Sequence, residues 1–517
     1  MPQPEKQVSR RTALKIAVAG GAGMAMGCRV EGEPSSSGAI AQETLEMSND
    51  AWFAQRVWSV SANKVLPEPD GSSTSITSLA DSIYRPRSAE EIAALVRALP
   101  PETPIACVCG GHEPSGVALV ADHGAVIFDL MELKGIAFEE GDGERLVTVG
   151  SGVVFRELVE AVREQDGALP VGTGPGVGVV GYTVNGGLSG YFSRRLGLLG
   201  QRAVRMTVVM ADGTLRTLTP KDELFTLMLG AGSALAIVVD ITFRLADARA
   251  IQGAEQLVLG FEGRGQAIAF SRAAMQFMKE AVIPNESVSV EVVVTGTNAL
   301  VVTTVFYDSF TGNADGFTEP LRALAVSRQL PTLADSRWTS WYEAAAALWP
   351  VIAEQKGSPL ATSCHCAGTP TSPADEVLDF VADVLVGEAP LDEAEMSIIE
   401  IRTLGGAAQT GPRIPTGNCE HAFFVDLVTL YDSSLKTPAE RQAIVDLTNR
   451  WVDRARAVPG LGVDFSGTHS QSDDVDRSAV AAEIFGSSAM AQAVSEAKAR
   501  VDPANRFRFH PFAKILT

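Results

Sequence analysis

Between Val171 and Gly190 the chain places eight glycines in twenty residues, at positions 172, 174, 176, 178, 181, 186, 187 and 190. Glycine weakens helices and strands because its backbone loses the most freedom on ordering. A stretch this dense in glycine is therefore mostly loop, and the surrounding chain must fold so as to hold it. A shorter glycine loop, Gly110-Gly111-His112-Glu113-Pro114-Ser115-Gly116, leaves the apolar run 105–109. Two such loops in one domain suit an extended diphosphate ligand. Glycine lets the backbone come close and turn its N–H groups toward anionic oxygens. Neither loop ends in Gly-Lys-Ser/Thr, and neither opens an amphipathic helix in the manner of a Rossmann fingerprint.

The flanking pattern supplies the scaffold. Ser88 and Glu91 have capping-box spacing, and Ile92, Leu95, Val96 and Leu99 follow at helical intervals until Pro101 and Pro104. The runs 105–109, 126–130 and 146–149 read as strands, and Phe155, Leu158, Val159 and Val162 as an amphipathic helix. Strands at 206–210 and 237–243 follow, with Ala211-Asp212-Gly213 as a hairpin turn signal. From about residue 250 the grammar changes. Val-rich runs at 287–295 and 300–307 form a plausible hairpin, and 396–402 and 422–429 read as further strands. Helical patterns run from 266 to 279 and from 438 to 456, the second opened by a Thr437–Glu440 capping box. Strands with helices on one side make the expected class α+β.

A length of 517 residues suggests about three folding units, and 46% hydrophobic content fits a sizeable core. The charge of −20 opposes a nucleic-acid partner, which needs a cationic surface. Arg10-Arg11 ahead of the mild apolar run 16–27 reads as a twin-arginine export signal, so the expected location is periplasmic or extracellular. Cys28, after Gly27, is a candidate lipid-attachment site, and no later stretch reads as a membrane span. Cys107-Val108-Cys109 and Cys364-His365-Cys366 each set two thiols on one face of a strand. Structural zinc sites prefer wider spacing, so no metal is expected and buried thiols are the simpler reading.

The order of motifs resembles the berberine-bridge-enzyme-like branch of the vanillyl-alcohol-oxidase flavoproteins, with its PCMH-type FAD domain. The resemblance rests on Pro86 to Ile92, Gly110-Gly111-His112, the second glycine loop through Gly186-Gly187, Met210 to Gly213, Asp222 to Phe225 and Gly230 to Leu245. It closes on Val501-Asp502-Pro503-Ala504-Asn505-Arg506-Phe507-Arg508. It implies a two-part FAD-binding domain over 78–248 and a substrate domain with an antiparallel sheet over 249–475. A C-terminal segment, 476–517, then returns to the FAD domain, and 1–45 is signal and linker. It further implies FAD joined covalently through His112. Cofactor contacts fall on Gly110, Gly111, Glu113, Ser115, Gly116, Gly172, Thr173, Gly174, Val177, Gly181, Tyr182, Gly186, Gly187, Ile237, Val238 and Asn505. Members with two covalent links carry Cys where this chain has Gly174, so only the His112 link is available. Val108, Gln201 and Ser233 to Ala236 are further departures from the family pattern.

Catalysis is implied more faintly. In the family a base on the substrate-domain sheet removes a hydroxyl proton while a substrate C–H gives hydride to the flavin. Asp426, in Phe423-Phe424-Val425-Asp426-Leu427-Val428, falls where the family has its base; the other reading is a strand-face carboxylate paired with a cation or water. His421 and His469 are secondary candidates. The family's usual phenolate is missing, since its stretch reads Gly467-Thr468-His469-Ser470. The expected function is oxidation of a hydroxyl-bearing small molecule such as a sugar, an alcohol or a secondary metabolite. In the family the residue at Val177 lines the flavin face that oxygen must reach, and a small Val there goes with oxidase behaviour, so the resemblance implies molecular oxygen as the acceptor. The alternatives are a dehydrogenase with another electron acceptor and a flavin-fold protein that binds ligand without turnover.

Overall fold

The computed structural model describes residues 49–56, 59–61 and 78–516, apart from 142, 251–252, 284–287, 296–299, 308–314, 348, 350–359, 389–394, 432–435 and 464–479. The segment expected to be an export signal, Cys28 and His469 lie outside the described residues. Fold class is α+β, with a two-part FAD-binding region in front and an α+β region built on a largely antiparallel sheet behind.

The first part of the front region is a three-stranded parallel sheet with Val126–Asp129 between Ser82–Tyr84 and Ile105–Val108. Its helix, Ala89–Ala98, starts where the sequence indicates, with the Ser88 hydroxyl accepting from the Glu91 amide at 3.2 Å. The second part is a five-stranded antiparallel sheet in which Ile237–Arg244 lies between Glu144–Gly150 and Ala203–Val209. The helix Phe155–Arg163 buries Phe155, Leu158, Val159 and Val162, the four positions its periodicity selects. One element departs from the sequence reading. Val179–Thr183 closes a single short helix inside the glycine-rich stretch, burying Val179, Val180 and Thr183. A brief helix forms there because three β-branched residues find an apolar core to enter, which outweighs local glycine content.

The rear sheet has nine strands. Val288–Thr295 and Leu300–Tyr307 pair as the hairpin the sequence suggests, with Thr295 opposite Leu300. Leu360–Thr369 contains Cys364-His365-Cys366, read from sequence as strand, whereas Gly253–Gly260 and Thr332–Trp338 are strands the sequence does not single out. Strand alternation divides this sheet into two faces. Phe423, Val425 and Leu427 turn into a core with the helices Arg264–Phe277 and Pro438–Arg456. Phe424 and Cys366 turn the other way, into the core that contains Phe155, Tyr191 and Phe192 of the front region.

Two buried cations fasten the regions. Arg194 Nε donates to the Val288 carbonyl at 2.8 Å and its Nη2 to that of Ile283 at 3.1 Å, while Nη1 donates to Leu404. Arg506, in the C-terminal segment, donates to the carbonyls of Ala211 at 2.6 Å and Val96 at 3.2 Å. Asp502 accepts from the Arg506 and Phe507 amides, both at 2.8 Å, and from Lys498 Nζ at 2.7 Å. Arg506 thus spends its charge on carbonyls of distant elements, which fixes the last segment against the first sheet, while Asp502 holds the local turn and pairs with Lys498. Among the described residues no helix is long and apolar enough to cross a membrane.

Candidate functional site

The two glycine loops meet. A Cβ at Gly110 would stand 2.6 Å from both the Gly176 carbonyl oxygen and the Gly178 nitrogen, and one at Gly178 would stand 2.9 Å from Cys109 Cβ. No side chain fits between them, so the pair forms one surface made of main chain. Gly111, Gly186 and Gly187 have φ of +73°, +96° and +75°, a region costly to other residues. The spacing between the loops therefore depends on glycine. Beside this contact Gly181 faces open space, with nothing within 4 Å of its Cβ position. A main-chain surface open beside Gly181 lets a dinucleotide's phosphates meet backbone N–H groups, and these residues fit FAD.

Within the first loop Glu113 accepts from the Ser115 amide at 2.9 Å, the Ser115 hydroxyl at 2.7 Å and the Val117 amide at 3.1 Å. Glu113 and the buried Ser115 thereby hold the turn that carries His112, with Gly116 closing it at φ +65°. In the second loop Tyr182 meets Phe155 edge-on at 4.9 Å and donates to the Leu188 carbonyl, so it braces the loop from beneath. A Cβ at Gly172 would meet that pair, 2.8 Å from Phe155 Cε2, with Thr173 following it. A Cβ at Gly174 would come 2.7 Å from Val177 Cγ2, so the two positions compete for one space. Val238 lies at the base of the loops, its carbonyl accepting from the Ser151 hydroxyl at 2.5 Å, and Ile237 pairs with Val209. Asn505 occupies a turn at φ +51° beside Arg506, at the opposite end of the first sheet from His112.

The second half of the site lies on the sheet face turned toward these loops. Asp426 is fully buried on Phe423–Tyr431 and stands opposite Glu400, while Arg402 stands opposite Glu291. Arg402 Nη1 donates to Asp426 Oδ2 at 3.1 Å and Nε to Glu291 Oε1 at 2.5 Å, and its Nη2 is ion-paired with Glu400. Tyr191, in the loop after the second glycine run, hydrogen-bonds Glu291. Gly190 brings that loop onto the cluster; a Cβ there would meet Arg402 Nε at 2.8 Å. Three carboxylates share one guanidinium. Burial raises Asp426 to about 8, with the Glu291 charge adding to the rise and Arg402 opposing it. Burial also raises the Tyr191 phenol well above its ordinary value.

Asp426, a candidate from the sequence, stands beside a cation, Arg402. Glu291, Glu400, Arg402 and Tyr191 were not singled out, although each charge interrupts a β-branched run at the alternate positions. His421 stands apart from this cluster, beside Gly462, and burial lowers it to about 4, so it is neutral near pH 7. Burial raises the thiols of Cys107 and Cys109, the latter to about 12. Cys107, Cys109, Cys364, Cys366 and Cys419 form no disulfides with one another. Among the described residues no group of three or more potential ligands is placed to hold a metal ion.

Residues 80–219 match the FAD binding domain family. The cofactor is FAD, and the chain is similar to the berberine-bridge-enzyme-like FAD-linked oxidoreductases. One relative is berberine bridge enzyme-like 12 of Arabidopsis thaliana, 29% identical over 26% of this chain and 26% of that protein. Xylooligosaccharide oxidase of Thermothelomyces thermophilus is 25% identical over 63% of this chain and 66% of its own. For two fungal FAD-linked oxidoreductases, the match spans 35% and 27% of the relative's length. Among solved structures, glucooligosaccharide oxidase from Acremonium strictum superposes with a TM-score of 0.69 at 19% identity, covering 83% of this chain and 91% of that one. That likeness is one of fold.

Proposed function

We propose that the protein oxidises a hydroxyl-bearing small molecule, with Asp426 as the group that takes the hydroxyl proton. Bound FAD supplies the hydride acceptor. The observation that carries this reading is the buried Asp426–Arg402–Glu291 cluster, which Gly190 brings against the loop that follows the glycine-rich stretch. A carboxylate raised to about 8 is a strong enough base to accept a proton from a positioned hydroxyl near neutral pH. Arg402 holds its orientation, and Glu291 shares the guanidinium so that the charge is not wholly committed to Asp426. Tyr191 ties this group to the front region through Glu291.

On this reading His112 holds the flavin covalently and alone, since position 174 is Gly and a side chain there would collide with Val177. The small Val177, flanked by Gly176 and Gly178, favours molecular oxygen as the acceptor, which makes the protein an oxidase that releases hydrogen peroxide. The paired Arg10-Arg11 supports export by the twin-arginine route, which carries folded, cofactor-loaded proteins. Relatives named as oligosaccharide oxidases make carbohydrates the first substrate class to try.

The test is a screen of oligosaccharides, alcohols and phenolic metabolites for flavin bleaching and peroxide release, repeated across pH with the best donor. Turnover should climb as pH rises through about 8, where Asp426 loses its proton. Bleaching without peroxide, with rapid turnover on a dye or quinone, would make the protein a dehydrogenase. No bleaching by any donor would favour ligand binding without turnover.

A further inference from the structure

The segment ahead of the first sheet reaches both halves of the site. Its helix, Asn49–Arg56, buries Trp52 and Phe53 in a core shared by Ala106, Val108 and Ile127 of the parallel sheet and Tyr431, Ile444 and Val445 of the rear region. Three residues further, Ser59–Ser61 pairs in parallel with Leu360–Thr369, the neighbour of the strand that carries Asp426. One short stretch therefore touches the first sheet, its cofactor loop and the rear sheet.

The anchor is Asp129, fully buried at the end of its strand and opposite Val108, where the chain leaves for the loop of His112. Asp129 accepts from Trp52 Nε1 at 3.0 Å, from Arg56 Nη2 at 2.6 and 2.7 Å, and from Arg85 Nη2 at 3.0 Å. With Arg56 held there, its own carbonyl meets the glycine loop. A Cβ at Gly111 would lie 2.3 Å from the Arg56 oxygen, so Gly111 lies directly under the last residue of the helix. Trp52 and the Arg56 side chain fix the helix, and its terminal carbonyl then limits where the backbone before His112 can go.

We propose that the helix Asn49–Arg56 and the strand Ser59–Ser61 act as a strap that sets the position of the His112 loop, so that docking of the strap and binding of FAD strengthen each other. The proposal rests on the glycine loops being the FAD site. Coupling of this kind is reciprocal: whatever factor the docked strap contributes to FAD affinity, FAD contributes to docking of the strap. Arg56 and Trp52 are positioning residues, acting on the cofactor through Asp129 and Gly111.

The test uses the full chain in a His112→Ala background, where the flavin dissociates and its affinity is measurable by titration. Arg56→Ala should raise the FAD dissociation constant by about tenfold, within the usual range for coupled sites. Arg85→Ala is the control, since Arg85 shares Asp129 while the nearest atoms over Gly111 belong to Arg56; it should change the constant less than about twofold. Limited proteolysis should cut the strap more slowly once FAD is added. Equal affinity in Arg56→Ala and its parent, or an equal loss in both Arg variants, overturns the strap. If Arg56→Ala does not fold, Trp52→Phe, which removes one hydrogen bond to Asp129, should weaken FAD roughly fivefold, and unchanged affinity overturns the proposal. Absence of flavin from the wild-type protein would instead overturn the reading of the loops.

Discussion

The two halves of the site are made of different material. The front half is main chain: Gly110, Gly176 and Gly178 approach until no Cβ fits, and the surface they form depends on what those residues lack. The rear half is side chain: Glu291, Glu400, Arg402 and Asp426 come from three strands far apart in sequence and meet because pairing places them on one face. The first binds by shape and by N–H groups, and a single methyl can close it. The second depends on a charge balance in a buried place, where removing one partner strands the others. Damage to the front should therefore appear as lost cofactor, and damage to the rear as lost turnover with cofactor retained.

The sharpest separation should come from Asp426→Asn. It keeps size and some hydrogen bonding, so flavin content should match wild type while turnover falls about 10²–10⁴-fold. Near-normal turnover would remove Asp426 from the chemistry. Arg402→Met should follow, costing about 3–5 kcal/mol of stability because Glu291, Glu400 and Asp426 lose their common cation. Denaturant unfolding of the purified variant measures this, and a loss under about 1 kcal/mol would mean the cluster is not the buried network described.

Gly110→Ala tests the front half. The added methyl must push the two loops apart, at a cost of about 1–3 kcal/mol. Flavin content should drop sharply, while any protein that keeps its flavin should turn over normally. Loss of turnover at full flavin content would blur the division between the halves. As a control outside both, Thr437→Ala removes the cap of Pro438–Arg456, whose hydroxyl accepts from Glu440 at 3.3 Å. It should cost about 1 kcal/mol and leave flavin and turnover alone.

A pH series probes the rear half through a single titration. Asp426 binds its proton more tightly in the folded chain, at about 8, than at its ordinary 3.8. The folded state therefore holds more protons than the unfolded one between these values. This carboxyl's contribution to stability is present below about 4, declines as pH rises through about 8, and is constant beyond. Asp426→Asn should remove that part of the decline in melting temperature. A profile unchanged by the substitution would place the titration elsewhere.

The same difference in material explains what could be read from sequence. Glycine at 110, 111, 176 and 178 is a local signal, because close approach and positive φ constrain the residue type where it stands. The helix 155–163 and the hairpin 288–307 were legible for the same reason, through their periodicity and turn. Asp426 drew attention only through resemblance. Arg402 and Glu291 gave no pattern of their own, since their meaning is set by strand register across more than a hundred residues. The strap carries no motif of its own in the sequence; its role depends on Asp129, which in sequence is merely the polar end of an apolar run. Long-range pairing carries information that no window along the chain contains.

The most direct measurement is the visible spectrum of the protein before and after acid precipitation, for wild type and His112→Ala side by side. FAD held between the loops and joined to His112 predicts a yellow wild-type protein whose pellet keeps its flavin absorbance, and a variant whose flavin passes to the supernatant. A colourless wild-type protein would contradict the site itself. A yellow protein that releases all its flavin into acid would contradict the bond to His112.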